Sequence, residues 1–400
     1  MSEKKNNNTM AVVAIMLVYL ISGLGAAENP AIAACQAAWP NESVASILQL
    51  TTLYSLICVP VMLLIAPFVG KKIPYKAAMV AGALCLAVGG LGPIFIHPTW
   101  TVVLAFRALM GVGIGLVGPR NALLAATVSS EKYGKLVGLG NSMMFVFGIV
   151  AGPVVGMLVG ISWTAAFWIN IFAVPAAVLL ILFLKEPEKA SEADAAAEGP
   201  KEKTRMTGWV WVFAVMQAVM TGTVYPLLMS LSSQFEVYNI GSAALAGTVL
   251  SLYSVGATCG GLVIGAFNKI FKKSSLIAAM AGVAAFVGLI GFIPANLIVN
   301  IVCVFLSGVC FSICLTSLQV KLADICKPES LGFASTLLVA TNMLGVYIST
   351  YFILGAHAVL NRHTIYDSAN VGCLIVWAVM IAIIILGGKS LQEAERKAKS

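Results

Sequence analysis

Four hundred residues with 60% hydrophobic and 10% charged side chains, at a mean hydropathy of +0.97, cannot cover a water-facing surface. A soluble domain carries about 25% charged residues, so soluble enzymes, nucleic-acid binders and disordered chains are excluded and most of the surface must face lipid. The formal charge of +8 is therefore no sign of a nucleic-acid partner; its meaning depends on where the basic residues sit.

The chain opens with Lys4 and Lys5 before an apolar run, as a signal peptide would. The run continues past signal-peptide length and others follow, so it is expected to be an uncleaved first span. A helix needs about 20 apolar residues to cross a bilayer, because no backbone polar group can go unpaired in lipid. Twelve segments qualify: Met10–Trp39, Val44–Val69, Tyr75–Ile96, Trp100–Val128, Gly134–Ile161, Trp163–Leu184, Gly208–Ser230, Ala243–Phe267, Ser275–Ile293, Ala295–Leu322, Ser330–Leu360 and Ala369–Leu386. The fold expected is an all-α membrane protein.

With the N-terminus in the cytoplasm, 21 of the 24 basic residues fall on the inside. Only Arg362 falls outside, and Arg107 and Arg120 lie within the fourth span. That asymmetry orients the chain with both termini inside, and it places the basic loops beside anionic lipid headgroups. The longest polar stretch, 185–206, is rich in Glu, Lys and Ala and reads as a cytoplasmic linker. It separates an N-terminal six-helix half, 1–184, from a C-terminal one, 207–400. Halving of this kind marks the internal repeat of transporters, whose substrate site lies between the repeats.

Three regions carry a resemblance. In the fourth span, Arg107 is followed by Gly111, Gly113 and Gly115; in the fifth, Gly148, Gly152, Pro153 and Gly156 form a spaced pattern. The loop after the second span, Ala66-Pro67-Phe68-Val69-Gly70-Lys71-Lys72, keeps the basic character of a known motif without its acid, and an echo at Gly265–Lys273 has Asn268 near the acidic position. The chain resembles a major facilitator superfamily transporter over essentially its whole length, and the fifth-span pattern resembles the drug–proton antiporter branch. The resemblance implies two six-helix halves working by alternating access. The missing acid puts a gating salt bridge at the first loop in doubt.

The glycines also have a physical reading. Gly148, Gly152, Gly156 and Gly160 line one helix face, and Gly256, Gly260, Gly261 and Gly265 offer a matching strip on the eighth span, so the two strips could form a close seam. Generic small-residue packing would read the same way.

Ionisable residues inside a span are costly and are functional candidates by default. Glu28, before Asn29-Pro30, is the only carboxylate well inside any of the twelve segments. Counted inward from Trp39 and Trp100, Glu28 lies about 16 Å deep and Arg107 about 10 Å deep, near enough for long side chains to meet. Glu28 is assigned as proton carrier with Arg107 as its partner, a use the resemblance also implies; a static pair ordering two helices is the alternative. Arg120, after Gly118-Pro119, either snorkels to inner headgroups or attracts an anionic substrate. His357 is placed at a span end, and His97 and His363 in loops.

Asn141, Gln217, Tyr225, Tyr253, Gln319, Asn342 and Tyr347 are, with Arg120, the candidate substrate-binding residues, and bonds between helices are the other reason for such side chains to be buried. So sparse a polar set suits a lipophilic or amphipathic compound better than a sugar. Nine cysteines scattered through apolar runs show no CxxC and no Cys/His cluster, so neither a disulfide framework nor a metal site is expected.

The sequence thus reads as a secondary transporter, proton-coupled and exporting a small apolar compound. Uptake or exchange of an organic anion is the alternative within transport. A membrane-embedded enzyme would need clustered catalytic residues, which the sequence lacks, and no phosphate-binding loop or cofactor is indicated. The partners expected are the small-molecule substrate, protons and membrane lipids, with no nucleic acid, and the chain is expected to act as a monomer.

Overall fold

The structure, a computed structural model, describes residues 9–65, 68–70, 72–128, 130–186, 208–326 and 328–399. It is all helical in its regular elements. The membrane helices are α1 (Thr9–Ala38), α2 (Val44–Thr51 with Leu53–Leu64), α3 (Tyr75–Phe95), α4 (Trp100–Thr127), α5 (Ser130–Val159), α6 (Ala165–Phe183), α7 (Gly208–Val237), α8 (Ala243–Phe271), α9 (Ser275–Phe292), α10 (Leu297–Ile325), α11 (Pro328–Leu360) and α12 (Ile365–Leu386). A polar helix, α13 (Gly388–Lys399), follows. Ten of these are long and apolar enough to cross a bilayer unaided; α2 reaches that length and apolarity only as a pair of helices bent by 50°, and α5 holds the shorter apolar run Val146–Val159. Leu262, Val359 and Leu386 are each more than 80% exposed, as lipid-facing side chains should be.

The chain divides into two compact units, Met1–Ser191 with Ala243–Thr248, and Glu192–Ser242 with Val249–Ser400. The expected linker 185–206 lies almost wholly outside the described residues. Its second residue, Glu186, is described and acts as a helix cap: its two carboxylate oxygens accept from the backbone N–H groups of Tyr75 (2.7 Å) and Lys76 (2.9 Å) at the start of α3. Those amides have no partner inside their own helix, and a carboxylate there also meets the favourable end of the helix dipole.

Several expected helices differ in ways that matter. The first is not one continuous helix. Regular α structure stops at Ile21, two 3-10 turns occupy Leu24–Ala26 and Asn29–Ala31, and α geometry resumes at Ile32. Pro30 cannot donate a backbone hydrogen bond, which favours this break. The fourth breaks between Leu116 and Arg120, around Gly118-Pro119. The seventh runs to Val237, not Ser230, and the twelfth starts at Ile365, not Ala369. The last correction brings Asp367 inside a helix.

The fourth-span glycines serve packing on two sides. A side chain at Gly111 or Gly115 would strike Tyr54, Ile57 or Val61 of α2, and one at Gly113 would strike Gly82 and Leu86 of α3. In the first unit, Gly156 abuts Ala243 and Ala244, and Gly247 abuts the Gly152 carbonyl. Within the second unit, Gly256 and Gly260 of the eighth-span strip pack on Phe305 and Val309 of α10.

Candidate functional site

The first unit buries one ion pair, the sole one among the described residues. Glu28 occupies the break in α1, capping the second 3-10 turn with φ −86° and ψ 8°. Arg107 lies two turns into α4, and both side chains are 0% exposed. The Arg107 Nη1 donates to Glu28 Oε1 at 2.9 Å and also meets the Met110 sulfur at 2.8 Å. Its guanidinium lies 4.6 Å from the centre of the Phe167 ring, a stacking that suits a weakly hydrated planar cation.

A third member was not singled out in the sequence. Asn170, fully buried in the 3-10 stretch that begins α6, donates from Nδ2 to the same Glu28 oxygen at 2.7 Å. That amide is anchored by the carbonyls of Phe167 (3.0 Å) and Gly90 (3.3 Å). Gly90 permits the approach, because a side chain there would overlap Asn170. Asn170 is the only amide in α6, a signal that was present in the sequence.

The cluster is only half satisfied. Glu28 Oε2, Arg107 Nε and Nη2, and Asn170 Oδ1 are buried with no hydrogen-bond partner among the described residues. One Glu28 oxygen takes every bond while the other takes none. A fork-to-fork pair would be stronger and harder to open. The observed contact holds charge against charge through a single N–H, an arrangement from which either partner can withdraw.

The candidate substrate-binding residues fall into separate groups. In the second unit, Asn342 Nδ2 donates to Thr221 Oγ1 at 2.7 Å, and Gln217 Nε2 reaches the same hydroxyl at 3.5 Å, so α7 and α11 bring Gln217 and Asn342 together. Tyr347 bonds to Tyr351 through their hydroxyls at 2.9 Å. Tyr225 is buried; Tyr253 packs near Phe311, with its hydroxyl buried and unpartnered among the described residues; Gln319 is exposed. The side chain of Asn141 lies outside the described residues. In the first unit, Arg120 sits at the break in α4 with its guanidinium 4.9 Å from the Tyr19 ring centre, and Tyr19 donates its hydroxyl hydrogen to Asn121.

Two further groups lie around the histidines placed at a span end and in a loop. His357 contacts Ser368 at 3.1 Å, and His363 lies beside Tyr238, whose hydroxyl donates to a buried carboxylate, Asp367. No cluster of three or more His, Cys, Asp or Glu able to hold a metal ion occurs among the described residues.

The family model described as Major Facilitator Superfamily matches residues 7–350. An "Uncharacterized MFS-type transporter YvkA" of Bacillus subtilis (strain 168) is 30% identical over 164 residues, a match spanning 39% of this chain and 35% of that protein's length. Among solved structures, a D-xylose–proton symporter superposes with a TM-score of 0.70 at 17% identity, covering 92% of this chain and 97% of that one. A bacterial homolog of the human lysosomal transporter Spinster, in an inward-facing state, gives 0.68 at 14% identity, covering 98% of each chain. At such identities the structural likeness speaks for the fold. The family match, covering most of the chain, speaks for membership: this multi-pass membrane protein belongs to the major facilitator superfamily and is a secondary transporter, not an enzyme.

Proposed function

We propose that the chain couples transport to protons at Glu28 and exports a small lipophilic or amphipathic compound by alternating access, as the drug–proton antiporter branch does. The observation that carries this reading is the buried Glu28–Arg107 contact at the break in α1. A guanidinium at 2.9 Å favours the charged carboxylate, whereas burial without a countercharge favours the neutral, protonated one. A shift of α1 or α4 that separates the two would load a proton on Glu28, and their return would expel it. The half-satisfied geometry and the irregular backbone beneath Glu28 leave a single N–H contact to break, and uptake of the proton offsets the cost of parting the charges. Asn170, fixed by two backbone carbonyls, is the positioning residue that keeps the carboxylate in reach.

The placement of basic residues supports both termini in the cytoplasm of a bacterial plasma membrane. An apolar cargo fits the scarcity of free charge: Arg107 is committed to Glu28, and Arg120 is stacked on Tyr19. Carrying an organic anion would ask Arg120 to leave that ring and supply the positive charge alone.

The test is Glu28→Gln in proteoliposomes with an imposed pH gradient, against a panel of cationic, neutral and anionic compounds. The variant is expected to lose gradient-driven accumulation while still binding the transported compound. Accumulation against a gradient by Glu28→Gln would remove Glu28 as the carrier.

A further inference from the structure

Arg107 answers the charge of Glu28; Asn170 has the chemistry to answer the same carboxyl once that charge is gone. The amide nitrogen of Asn170 faces three oxygens: Glu28 Oε1 at 2.7 Å, the Phe167 carbonyl at 3.0 Å and the Gly90 carbonyl at 3.3 Å. Turning the amide over would set its oxygen against all three acceptors, so the surroundings fix which atom points where.

Two oxygens beside this contact are left over. Glu28 Oε2 shares a carbon with the Oε1 that accepts, and Asn170 Oδ1 shares a carbon with the Nδ2 that donates. Both are buried and without a hydrogen-bond partner among the described residues. Neither can serve the other while Glu28 is ionised, because both are acceptors. Leaving two acceptors buried and unmatched is costly. A single hydrogen shared between them removes both defects. A carboxylic acid and a primary amide match edge to edge, with N–H to carbonyl on one side and O–H to carbonyl on the other.

We infer that Asn170 is the partner of the protonated state of Glu28, accepting the O–H of a proton carried on Oε2 while its own N–H stays on Oε1. The inference rests on the proton reading at Glu28 and names the atoms that carry it out. Loading takes a proton from water and forms an O–H bond at Oε2, whose hydrogen Asn170 Oδ1 accepts. Release breaks that O–H bond, leaves the electron pair on Oε2 and returns the proton to water. Oε1 keeps its amide bond in both states, so α1 stays tied to α6 while Arg107 of α4 is free to part from it. The carboxyl exchanges one partner for another: a cation when charged, an amide carbonyl when neutral.

The other groups around Glu28 do not offer this. Arg107 is a donor only. Cys35, on α1 beyond the break, is a fully buried thiol within electrostatic reach of both Glu28 and Arg107, and sulfur is a weak acceptor. On α2, the Tyr54 ring packs against Gly25 in the first 3-10 turn. The α5 run Val146–Val159 holds no ionisable side chain.

The experiment is infrared difference spectroscopy of the purified full chain in lipid vesicles, titrated in pH, reading the carboxylic-acid carbonyl band that Glu28→Gln removes. In Asn170→Leu, a near match in shape, the acid loses its acceptor while Arg107 still serves the ionised form. The pH at which the band is half-developed should move toward acid, by about tenfold in proton concentration, the worth of one buried hydrogen bond. The band should also move to the position of an acid whose O–H is less strongly bonded. Asn170→Ala, read in the same way, covers a failure of the leucine variant to fold. A midpoint unmoved, or moved toward alkali, would overturn the inference and leave the proton reading standing. Absence of any band that Glu28→Gln removes would overturn both.

Discussion

Glu28 and Asp367 are both carboxylates sealed from solvent at an irregular point of a membrane helix, one at a mid-helix break and the other at a helix start. What each is given differs. Glu28 receives a guanidinium at 2.9 Å and an amide at 2.7 Å, so its charge is balanced by the chain itself. Asp367 receives a phenol and the geometry of a helix cap, which are dipoles and not a charge. The difference teaches how the same chemical group can be used in two ways. A carboxylate with its own cation changes state when that cation moves, while one offered only dipoles depends on the donors that face it.

The largest expected effect comes from removing the internal cation. Arg107→Met leaves Glu28 buried without a countercharge, which costs about 3–5 kcal/mol when one member of a buried pair is lost. The thermal unfolding midpoint should fall steeply. The double variant Glu28→Gln/Arg107→Met should recover most of the loss, since an amide and a thioether need no charge balance. A single variant as stable as the double one would mean that the ion pair is not what holds α1 against α4.

The contrast between these sites also marks what the sequence could and could not disclose. Membrane class, the two intramembrane arginines and the pairing of Glu28 with Arg107 were legible, because charge is so rare in this chain that each instance stands out. Asn170 was harder to find, since a neutral amide in an apolar run carries no comparable signal and its role depends on Gly90 admitting it. Asp367 was hidden by a boundary. With the last span begun at Ala369, the residue fell into a loop, and only the Thr364 cap draws it into α12. The eighth-span glycines show a related limit: small residues announce close packing but not the partner, and Gly256 and Gly260 pack on α10.

A third carboxylate refines the comparison from the exposed side. Glu186 is exposed and forms no ion pair among the described residues, yet both its oxygens are satisfied by the free N–H groups of Tyr75 and Lys76. If backbone dipoles suffice for a carboxylate only where water can help, Glu186→Ala should cost about 1 kcal/mol, the usual worth of a helix cap. Glu186→Gln, which still accepts from one amide, should retain part of that. The unfolding midpoints of the two variants, measured in the same detergent, check the order. A loss as large as that of Arg107→Met would mean that the α3 start is held by more than capping.

The smallest effect is confined to alkaline pH and concerns the phenol that Asp367 is given in place of a cation. Burial, together with the hydrogen bond to Asp367 and that carboxylate's negative charge, pushes the Tyr238 hydroxyl up to about 12, against an ordinary 10.0. The neutral phenol is therefore the form the folded state prefers. A group whose folded value is raised stabilises the fold fully below its unfolded value and loses that contribution as pH rises through the folded one. The window is thus from about 10 to about 12. The stability advantage of the unaltered chain over Tyr238→Phe should be constant through neutral and mildly alkaline pH, and should shrink only inside that window. Because Tyr238 is partly exposed, solvent screens its interaction and the change should be modest. Unfolding midpoints of both proteins, taken at intervals through the alkaline range, read the difference directly. A gap that began to close near neutral pH would mean that the phenol is not the group whose titration is read.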